Sequence, residues 1–126
     1  MDTAILDASL FVPPSHLAAS IGRADAPLIL DVRKAPAFEA ARRFIAGALR
    51  VAPDQVAQAG ACLPRGRLVV AYCVHGHEIS QRAVLALRQA GVAAECLEGG
   101  FSAWEEAGLP TMDTLPQTLD PAGFKA

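Results

Sequence analysis

The chain has 126 residues, the length of one domain, and is long enough to bury its own hydrophobic core. Hydrophobic residues make up 52% of it and charged residues 19%, which is typical of a globular protein and excludes a disordered chain. The net charge of −2 gives no electrostatic reason to expect binding to nucleic acid or to an anionic membrane. No apolar run approaches the ~20 residues that a membrane span requires.

The cysteine pattern indicates a reducing environment. Cys62, Cys73 and Cys96 form neither an even set nor a CxxC pair, which argues against a disulfide framework and against a zinc site. The first residues, MDTAILDASLFVPPS, contain two aspartates and no basic residue, unlike a secretory signal. We therefore expect a cytoplasmic location.

Helices and short apolar strands alternate along the chain. A first helix is predicted over HLAASIG, with Ser15 as its cap and Gly22 at its end. The predicted strands are APLILDVR, IAGALRVAP, RLVVAYC and VAAECLEGG. The predicted helices between and after them are APAFEAARRF, DQVAQAGAC from Asp54, SQRAVLALRQAG with Gly91 as its stop, and FSAWEEAGLP ending at Gly108.

This alternation predicts an α/β fold with a mainly parallel sheet that helices cover on both faces. Ligands bind such sheets at the carboxyl ends of the strands, so the loops after DVR, YC and LEGG are the candidate site. We expect one domain over 1–126, with a core of about 12–111 and a surface tail over 112–126.

The loop after the strand RLVVAYC carries the most reactive groups. Cys73 ends the strand, the polar residues HGHE follow, and Ser80 is predicted to open the next helix. Gly76 permits the dihedral angles of a tight turn, and the N–H groups of such a turn and of a helix start make a cradle for anions. A thiol at this place is favoured as a thiolate, which is the nucleophilic form. The alternative is that Cys73 is simply a small buried residue at a strand end.

A family resemblance favours the catalytic interpretation. Four segments carry this resemblance: DVR on the first long strand, Gly47-Ala48-Leu49, YCVHGHEIS and the closing LEGGFSAWEEAGLPT. Together they resemble a single-domain rhodanese, a sulfurtransferase, over about residues 12–111. The resemblance implies a three-layer fold whose five-stranded, mostly parallel sheet is flanked by helices, with the active loop after the central strand. It also implies that Cys73 carries a persulfide, formed from a small sulfur-containing anion such as thiosulfate and passed to cyanide, a thiol or a protein acceptor.

The resemblance further implies which residues hold the substrate. The loop N–H groups would stabilise the persulfide anion, and the loop residues concerned are Val74, His75, Gly76, His77, Glu78, Ile79 and Ser80. No metal and no organic cofactor is implied. We expect no nucleic-acid or membrane partner, and a monomer or weak dimer.

The loop departs from the common rhodanese pattern Cys-x-x-Gly-x-Arg-Ser. Glu78 stands in place of the arginine, and the serine comes one residue later, at Ser80. The longer loop is similar to the Cys-x5-Arg loops of related phosphatases and arsenate reductases, but Ile79 takes the position of their arginine. A carboxylate at position 78 would repel an anionic donor unless it points away or pairs with Arg82, four residues on.

Other polar residues are expected at the same edge of the sheet. Arg33 either binds the anion or forms an ion pair with Asp31 or Glu39, and Asp31 is expected to order the loop backbone. His75 and His77 either supply positive charge or are merely exposed.

The closing segment and the remaining cysteines are expected to have structural roles. Glu98 is expected to order backbone next to Gly99 and Gly100, which permit a close approach. Cys62, Cys96 and Trp104 are expected to pack in the interior, with Cys96 as a resolving thiol the alternative.

Three functions remain open. The first is a Cys73-dependent sulfurtransferase. The second is a catalytically weak rhodanese-like module that binds a partner or senses redox state. The third is an enzyme of the phosphatase or arsenate reductase type, which the absence of a loop arginine disfavours because no guanidinium is available to hold a dianion.

Overall fold

The apolar runs of the sequence form the strands of a central sheet in a computed structural model of the chain, which describes residues 10–113. The strands of the described part are β1 (Phe11–Val12), β2 (Leu28–Asp31), β3 (Phe44–Ile45), β4 (Leu49–Arg50), β5 (Val69–Tyr72), β6 (Ala94–Leu97) and β7 (Thr111–Met112). The helices are α1 (Pro14–Ser20), α2 (Ala35–Ala41), α3 (Val56–Ala59), α4 (Glu78–Gln89) and α5 (Gly100–Glu106), with a 3₁₀ turn over Pro53–Gln55.

Five of these strands form one parallel sheet in the order β1-β6-β5-β2-β4. The predicted α/β fold with a five-stranded parallel sheet flanked by helices is therefore confirmed. Strands β3 and β7 pair antiparallel as a separate two-stranded sheet. None of the helices within residues 10–113 is long and apolar enough to cross a bilayer.

The central strand β5 is buried along its whole length because helices cover both faces of the sheet. Val69 and Ala71 pack in one core with α4, whereas Val70 and Tyr72 pack in a second core on the other face. Trp104 of α5 is fully buried in that second core, and its Nε1 donates a hydrogen bond to the carbonyl oxygen of Pro110 at 2.8 Å. The predicted packing role of Trp104 is confirmed.

Several element boundaries differ from the prediction. Helix α1 begins at Pro14 and has Pro13 as its N-cap, so Ser15 is not the cap; proline is well suited to the first helical position because its missing N–H needs no partner there. The predicted strand over IAGALRVAP is divided by a turn into β3 and β4. Strand β1 was not among the strands predicted from periodicity, since two residues are too few to show a pattern.

The end of the chain differs as well. Met112, at which the predicted surface tail begins, is exposed and is the second residue of β7, where it pairs with Phe44. The rest of the predicted tail, beyond position 113, lies outside the described residues.

Helix α4 begins at Glu78, two residues earlier than predicted, and Gly91 follows its end with a φ of +88°. The stop at Gly91 is thus confirmed. The earlier start places Ser80 inside the first turn of the helix, on the buried side that it shares with Ala83 and Val84. The connection between β5 and α4 is therefore shorter than the sequence suggested.

Candidate active site

The carboxyl ends of three adjacent strands form the edge that carries the reactive residues. Asp31 is in register with Tyr72, and Ala71 with Cys96, so the loops after β2, β5 and β6 lie side by side. This is the arrangement expected for a ligand site in a parallel sheet.

Cys73 lies at the bottom of the loop and has 6% of its surface exposed. Its thiol donates a hydrogen bond to the Oγ of Ser80 at 3.2 Å, and Ser80 is itself fully buried. Ser80 reaches Cys73 because α4 begins early enough to turn this side chain inward. The structure thus brings together the cysteine and the serine that the sequence singled out.

The loop packs backbone to backbone against the start of α5. The N–H of Phe101 donates to the carbonyl oxygen of Cys73, and the N–H of Ser102 donates to that of Val74, both at 2.8 Å. A Cβ atom on Gly100 would lie 2.6 Å from each of these two carbonyl oxygens, so only glycine fits there. A Cβ on Gly76, whose φ is +75°, would meet the backbone of the same segment at 2.9 Å.

These contacts orient three of the loop N–H groups, those of Val74, His75 and His77. Three carbonyl groups of the loop are bound: those of Cys73 and Val74 by N–H groups of α5, and that of Gly76 by Nε2 of Gln81 at 3.1 Å. In a trans peptide the N–H points away from the C=O, so the N–H groups of the next residues face the opposite way. Among residues 10–113, no N–H group of positions 74–80 donates to a backbone carbonyl.

Next to this loop, Asp31 is the centre of a buried polar network. Nη2 of Arg33 lies 2.6 Å from Oδ2 of Asp31, and the Tyr72 hydroxyl donates to the same oxygen at 2.9 Å. Arg50 adds a third contact, with its Nη1 3.8 Å from Oδ1 of Asp31 and 2.6 Å from the carbonyl oxygen of Arg33. Burial lowers the pKa of Arg50, while the Asp31 carboxylate opposes this.

The structure places Arg33 in the ion pair and not at the open rim of the site. Its side chain is 1% exposed, its Nη2 also donates to the carbonyl oxygen of Arg43 at 2.7 Å, and the guanidinium carbon lies 4.5 Å from the ring centroid of Phe101. Of the two roles that the sequence left open for Arg33, the structure shows the structural one with Asp31. The role in substrate binding has no support from this geometry.

Glu78 points into solvent and pairs with Arg82. Its Oε2 lies 2.5 Å from Nη2 of Arg82, one helical turn on, and both side chains are more than 60% exposed. The carboxylate is thus neutralised by a neighbouring cation, although an exposed pair of this kind contributes only about 0.3–0.5 kcal/mol to stability. His75 and His77 are exposed next to it, with ring centroids 6.1 Å apart, whereas Ile79 is half-buried.

The sequence did not reveal Tyr72 and Arg50 as part of this region. The Tyr72 hydroxyl accepts a hydrogen bond from the N–H of Ile45 at 3.1 Å in addition to its bond to Asp31, and burial raises its pKa. Tyr72 immediately precedes Cys73, but its hydroxyl points to the opposite core. The one signal available in the sequence was a polar hydroxyl in an otherwise apolar strand.

The remaining candidates have structural positions. Cys96 is fully buried and Cys62 partly buried, and neither is in a disulfide. The side chain of Glu98 is exposed, and its N–H donates to the carbonyl oxygen of Val12. Within residues 10–113 no group of three or more His, Cys, Asp or Glu side chains is placed to hold a metal ion.

Comparison with known proteins identifies the family. The family model described as "Rhodanese-like domain" matches residues 14–107. The chain belongs to the rhodanese-like domain family. The family match includes the cysteine loop and the turn that packs against it, so the resemblance seen in the sequence is confirmed at the level of the domain.

Individual relatives agree with this assignment. An uncharacterized protein of Synechocystis sp. is 38% identical over 94 residues, which cover 71% of this chain and 49% of the relative; this chain thus spans about half the length of the curated relative that it matches. A full-length protein from Lactobacillus plantarum is 28% identical, with a TM-score of 0.77 over 85% of this chain and 89% of that one. A thiosulfate sulfurtransferase from Pseudomonas aeruginosa is 28% identical, with a TM-score of 0.72 over 92% of this chain and 22% of that one.

Proposed function

We propose that this rhodanese-like chain is a sulfurtransferase that carries a sulfane sulfur as a persulfide on Cys73. The observation that carries the proposal is the position of Cys73 at the bottom of a loop in which the carbonyl groups of Cys73, Val74 and Gly76 are bound by α5 and Gln81, so that the N–H groups of the residues that follow them face the other way. Such N–H groups stabilise an anion on the ligand without needing to move when it forms. The 28% identity to a thiosulfate sulfurtransferase over 92% of this chain supports the same chemistry.

The reaction has two steps through one cysteine. The Cys73 thiolate attacks the outer sulfur of a donor such as thiosulfate, the new S–S bond forms, and sulfite leaves with the electron pair of the bond that breaks. The terminal sulfur of the persulfide is then attacked by cyanide, a thiolate or a protein thiol, and Cys73 leaves as a thiolate. Atoms and charge balance in both steps, and neither a metal nor an organic cofactor takes part.

The charges around the loop suit a small anion better than the sequence alone suggested. Glu78, which replaces the arginine of the common loop, is paired with Arg82 and points into solvent. The start of α4 adds the positive end of a helix of 12 residues. We infer that the loop takes a small sulfur-containing anion as donor, held by the backbone and not by an arginine.

Intact mass measurement tests this proposal. The protein is incubated with thiosulfate, 3-mercaptopyruvate or a low-molecular-weight persulfide, and its mass is then determined without reductant. We expect the addition of one sulfur atom, its loss on addition of cyanide or thiol, and its absence in Cys73→Ser. Cys62→Ser is the matched control and should load as the parent does. If none of the three donors adds sulfur to the parent protein, the proposal is wrong.

A binding or redox-sensing module is the second candidate. It is favoured by the low exposure of Cys73 and by the lack of an arginine in the loop over 73–80. Failure of all three donors, together with reversible oxidation of Cys73 by peroxide, would favour this function. The phosphatase-like alternative has less support because the half-buried Ile79 occupies the place of the arginine.

A further inference from the structure

One residue of helix α4, Gln81, holds the cysteine loop at two consecutive peptide groups. Its side-chain amide donates from Nε2 to the carbonyl oxygen of Gly76 at 3.1 Å, and its own N–H donates to the carbonyl oxygen of His77, also at 3.1 Å. Gln81 is half-buried and directly follows Ser80, whose hydroxyl oxygen accepts a hydrogen bond from the Cys73 thiol at 3.2 Å. The first turn of α4 thus contacts both the reactive sulfur and the backbone of the loop around it.

Regular secondary structure does not fix the backbone at this end of the loop. Gly76 has a φ of +75° and lacks a Cβ, so rotation about its ψ bond is less restricted than in other residues. His77 has a φ of −98° and a ψ of −128°, which belong to neither a helix nor a strand, and within residues 10–113 its side chain makes no capping hydrogen bond. The direction of the peptide group between Gly76 and His77 therefore depends on the bond from Gln81.

The direction of this peptide group decides whether the loop offers an anion a donor or an acceptor. In the part of the chain that the structure describes no peptide bond is cis, so the N–H of His77 points away from the Gly76 carbonyl that Gln81 binds. The N–H of Glu78 points away from the His77 carbonyl in the same way. If the peptide group between Gly76 and His77 rotated, a carbonyl oxygen would replace the N–H, and its partial negative charge would repel a thiolate or a sulfur-containing anion.

The charged side chains near the loop make the direction of its N–H groups more important. Glu78 stands where the common loop has an arginine, and it pairs in solvent with Arg82. Arg33 is buried in its ion pair with Asp31. Both guanidinium groups are thus already paired, so the binding of an anion beside Cys73 depends more strongly on backbone N–H groups.

We propose that Gln81 is a positioning residue: by holding the carbonyl groups of Gly76 and His77, it keeps the N–H groups of His77 and Glu78 turned toward an anion at Cys73. No covalent bond forms or breaks in this role, which concerns only the direction of two peptide groups. The effect on the Cys73 thiolate is independent of sulfur transfer, whereas the effect on the donor and on the persulfide rests on the proposed function.

The pH dependence of alkylation of Cys73 tests this role in Gln81→Met, whose side chain has a similar length and helix propensity but no N–H donor. The rate of modification by iodoacetamide is followed by peptide mass mapping, which separates Cys73 from the other cysteines. We expect the midpoint for Gln81→Met to shift to higher pH and its rate at neutral pH to fall by about two- to tenfold, the range of one net hydrogen bond. Gln89→Met, at the exposed last residue of the same helix, is the matched control and should keep the parent profile.

A profile of Gln81→Met that superimposes on the parent would overturn the proposal, even if urea unfolding shows a loss of stability, because a merely structural bond changes stability without changing the pH at which Cys73 reacts. A shift of equal size in Gln89→Met would overturn it as well. If Gln81→Met does not fold, Gln81→Leu takes its place in the comparison. Because alkylation needs no sulfur donor, this result can be read even if the protein fails to form a persulfide.

Discussion

Gly100→Ala is the most informative single change in the framework of the site. Gly100 has a φ of +63°, and a Cβ there would lie 2.6 Å from the carbonyl oxygens of Cys73 and Val74 and from the N of Gly76. All three are backbone atoms, so no side-chain rotation relieves the contact. The loop has to move away from α5, and the hydrogen bonds that Phe101 and its neighbour donate to it at 2.8 Å are lost or lengthened.

The expected loss of stability can be estimated from these contacts. The left-handed conformation costs a non-glycine residue about 1–2 kcal/mol. Overpacking typically costs about 1–3 kcal/mol, and each lost hydrogen bond about 1 kcal/mol. We expect the free energy of unfolding to fall by about 4–7 kcal/mol, a large part of the ~5–15 kcal/mol that a domain possesses.

Gly108→Ala is a matched control for the dihedral cost. Gly108 has a φ of +69°, but within residues 10–113 no heavy atom beyond its chain neighbours lies within 4 Å of the position of its Cβ. Urea unfolding of both variants, followed by tryptophan fluorescence from Trp104, should show a loss of about 1–2 kcal/mol for the control. If Gly100→Ala is no less stable than Gly108→Ala, the reasoning is refuted. If Gly100→Ala still forms the persulfide to the same extent as the parent protein, the conformation of the cysteine loop does not depend on the contact at Gly100.

Two further changes test the charges and the buried network. Glu78→Gln releases Arg82 from its ion pair and removes one negative charge, so kcat/KM for thiosulfate should rise by about two- to fivefold at low salt and by less at high salt. The control Glu106→Gln on α5 should leave kcat/KM unchanged. An unchanged kcat/KM for Glu78→Gln would show that the carboxylate does not act on the donor. Tyr72→Phe leaves the N–H of Ile45 without its partner and should lower the free energy of unfolding by about 1–3 kcal/mol at pH 7. Burial raises the pKa of Tyr72 above its usual value of 10.0, so above pH 10 the folded state keeps a proton that the unfolded chain loses. The free energy of unfolding of the parent should therefore fall with pH above pH 10, faster than that of Tyr72→Phe by up to about 1.4 kcal/mol per pH unit. Parallel stability curves for the two proteins above pH 10 would contradict this assignment.

The parallel sheet could be predicted because its signal is local. β5 and its neighbours are short apolar runs separated by helical segments, and this pattern alone indicates strands that are buried on both faces. β1 and β7 have two residues each, and their pairing depends on segments far away in the chain, Cys96 and Leu97 for β1 and Phe44 and Ile45 for β7. Elements that short have no periodicity from which to predict them.

Some features of the candidate site are likewise local in the sequence, whereas others depend on distant segments. Cys73 and Gly76 stand next to each other in the chain, and the sequence is sufficient to propose a nucleophile in a tight turn. The partners of Asp31 come from positions 33, 50 and 72, which only the fold brings together, so the sequence left the role of Arg33 open. A sequence lists charges, but it does not show which of them are already paired.

Glu78, the residue that departs from the family pattern, does not lie among the contacts that hold Cys73 in place. On one side the backbone at Cys73 and Val74 is held by N–H groups of α5, and beneath it the side chain of Ser80 meets the thiol. Glu78 takes part in neither contact, since it points to solvent and binds Arg82. Replacement of the usual arginine by glutamate therefore changes the charge that an approaching donor meets without changing the atoms that hold the cysteine. For this reason we expect variants at position 78 to alter which donor reacts, and variants at Gly100 or Ser80 to alter whether any donor reacts at all.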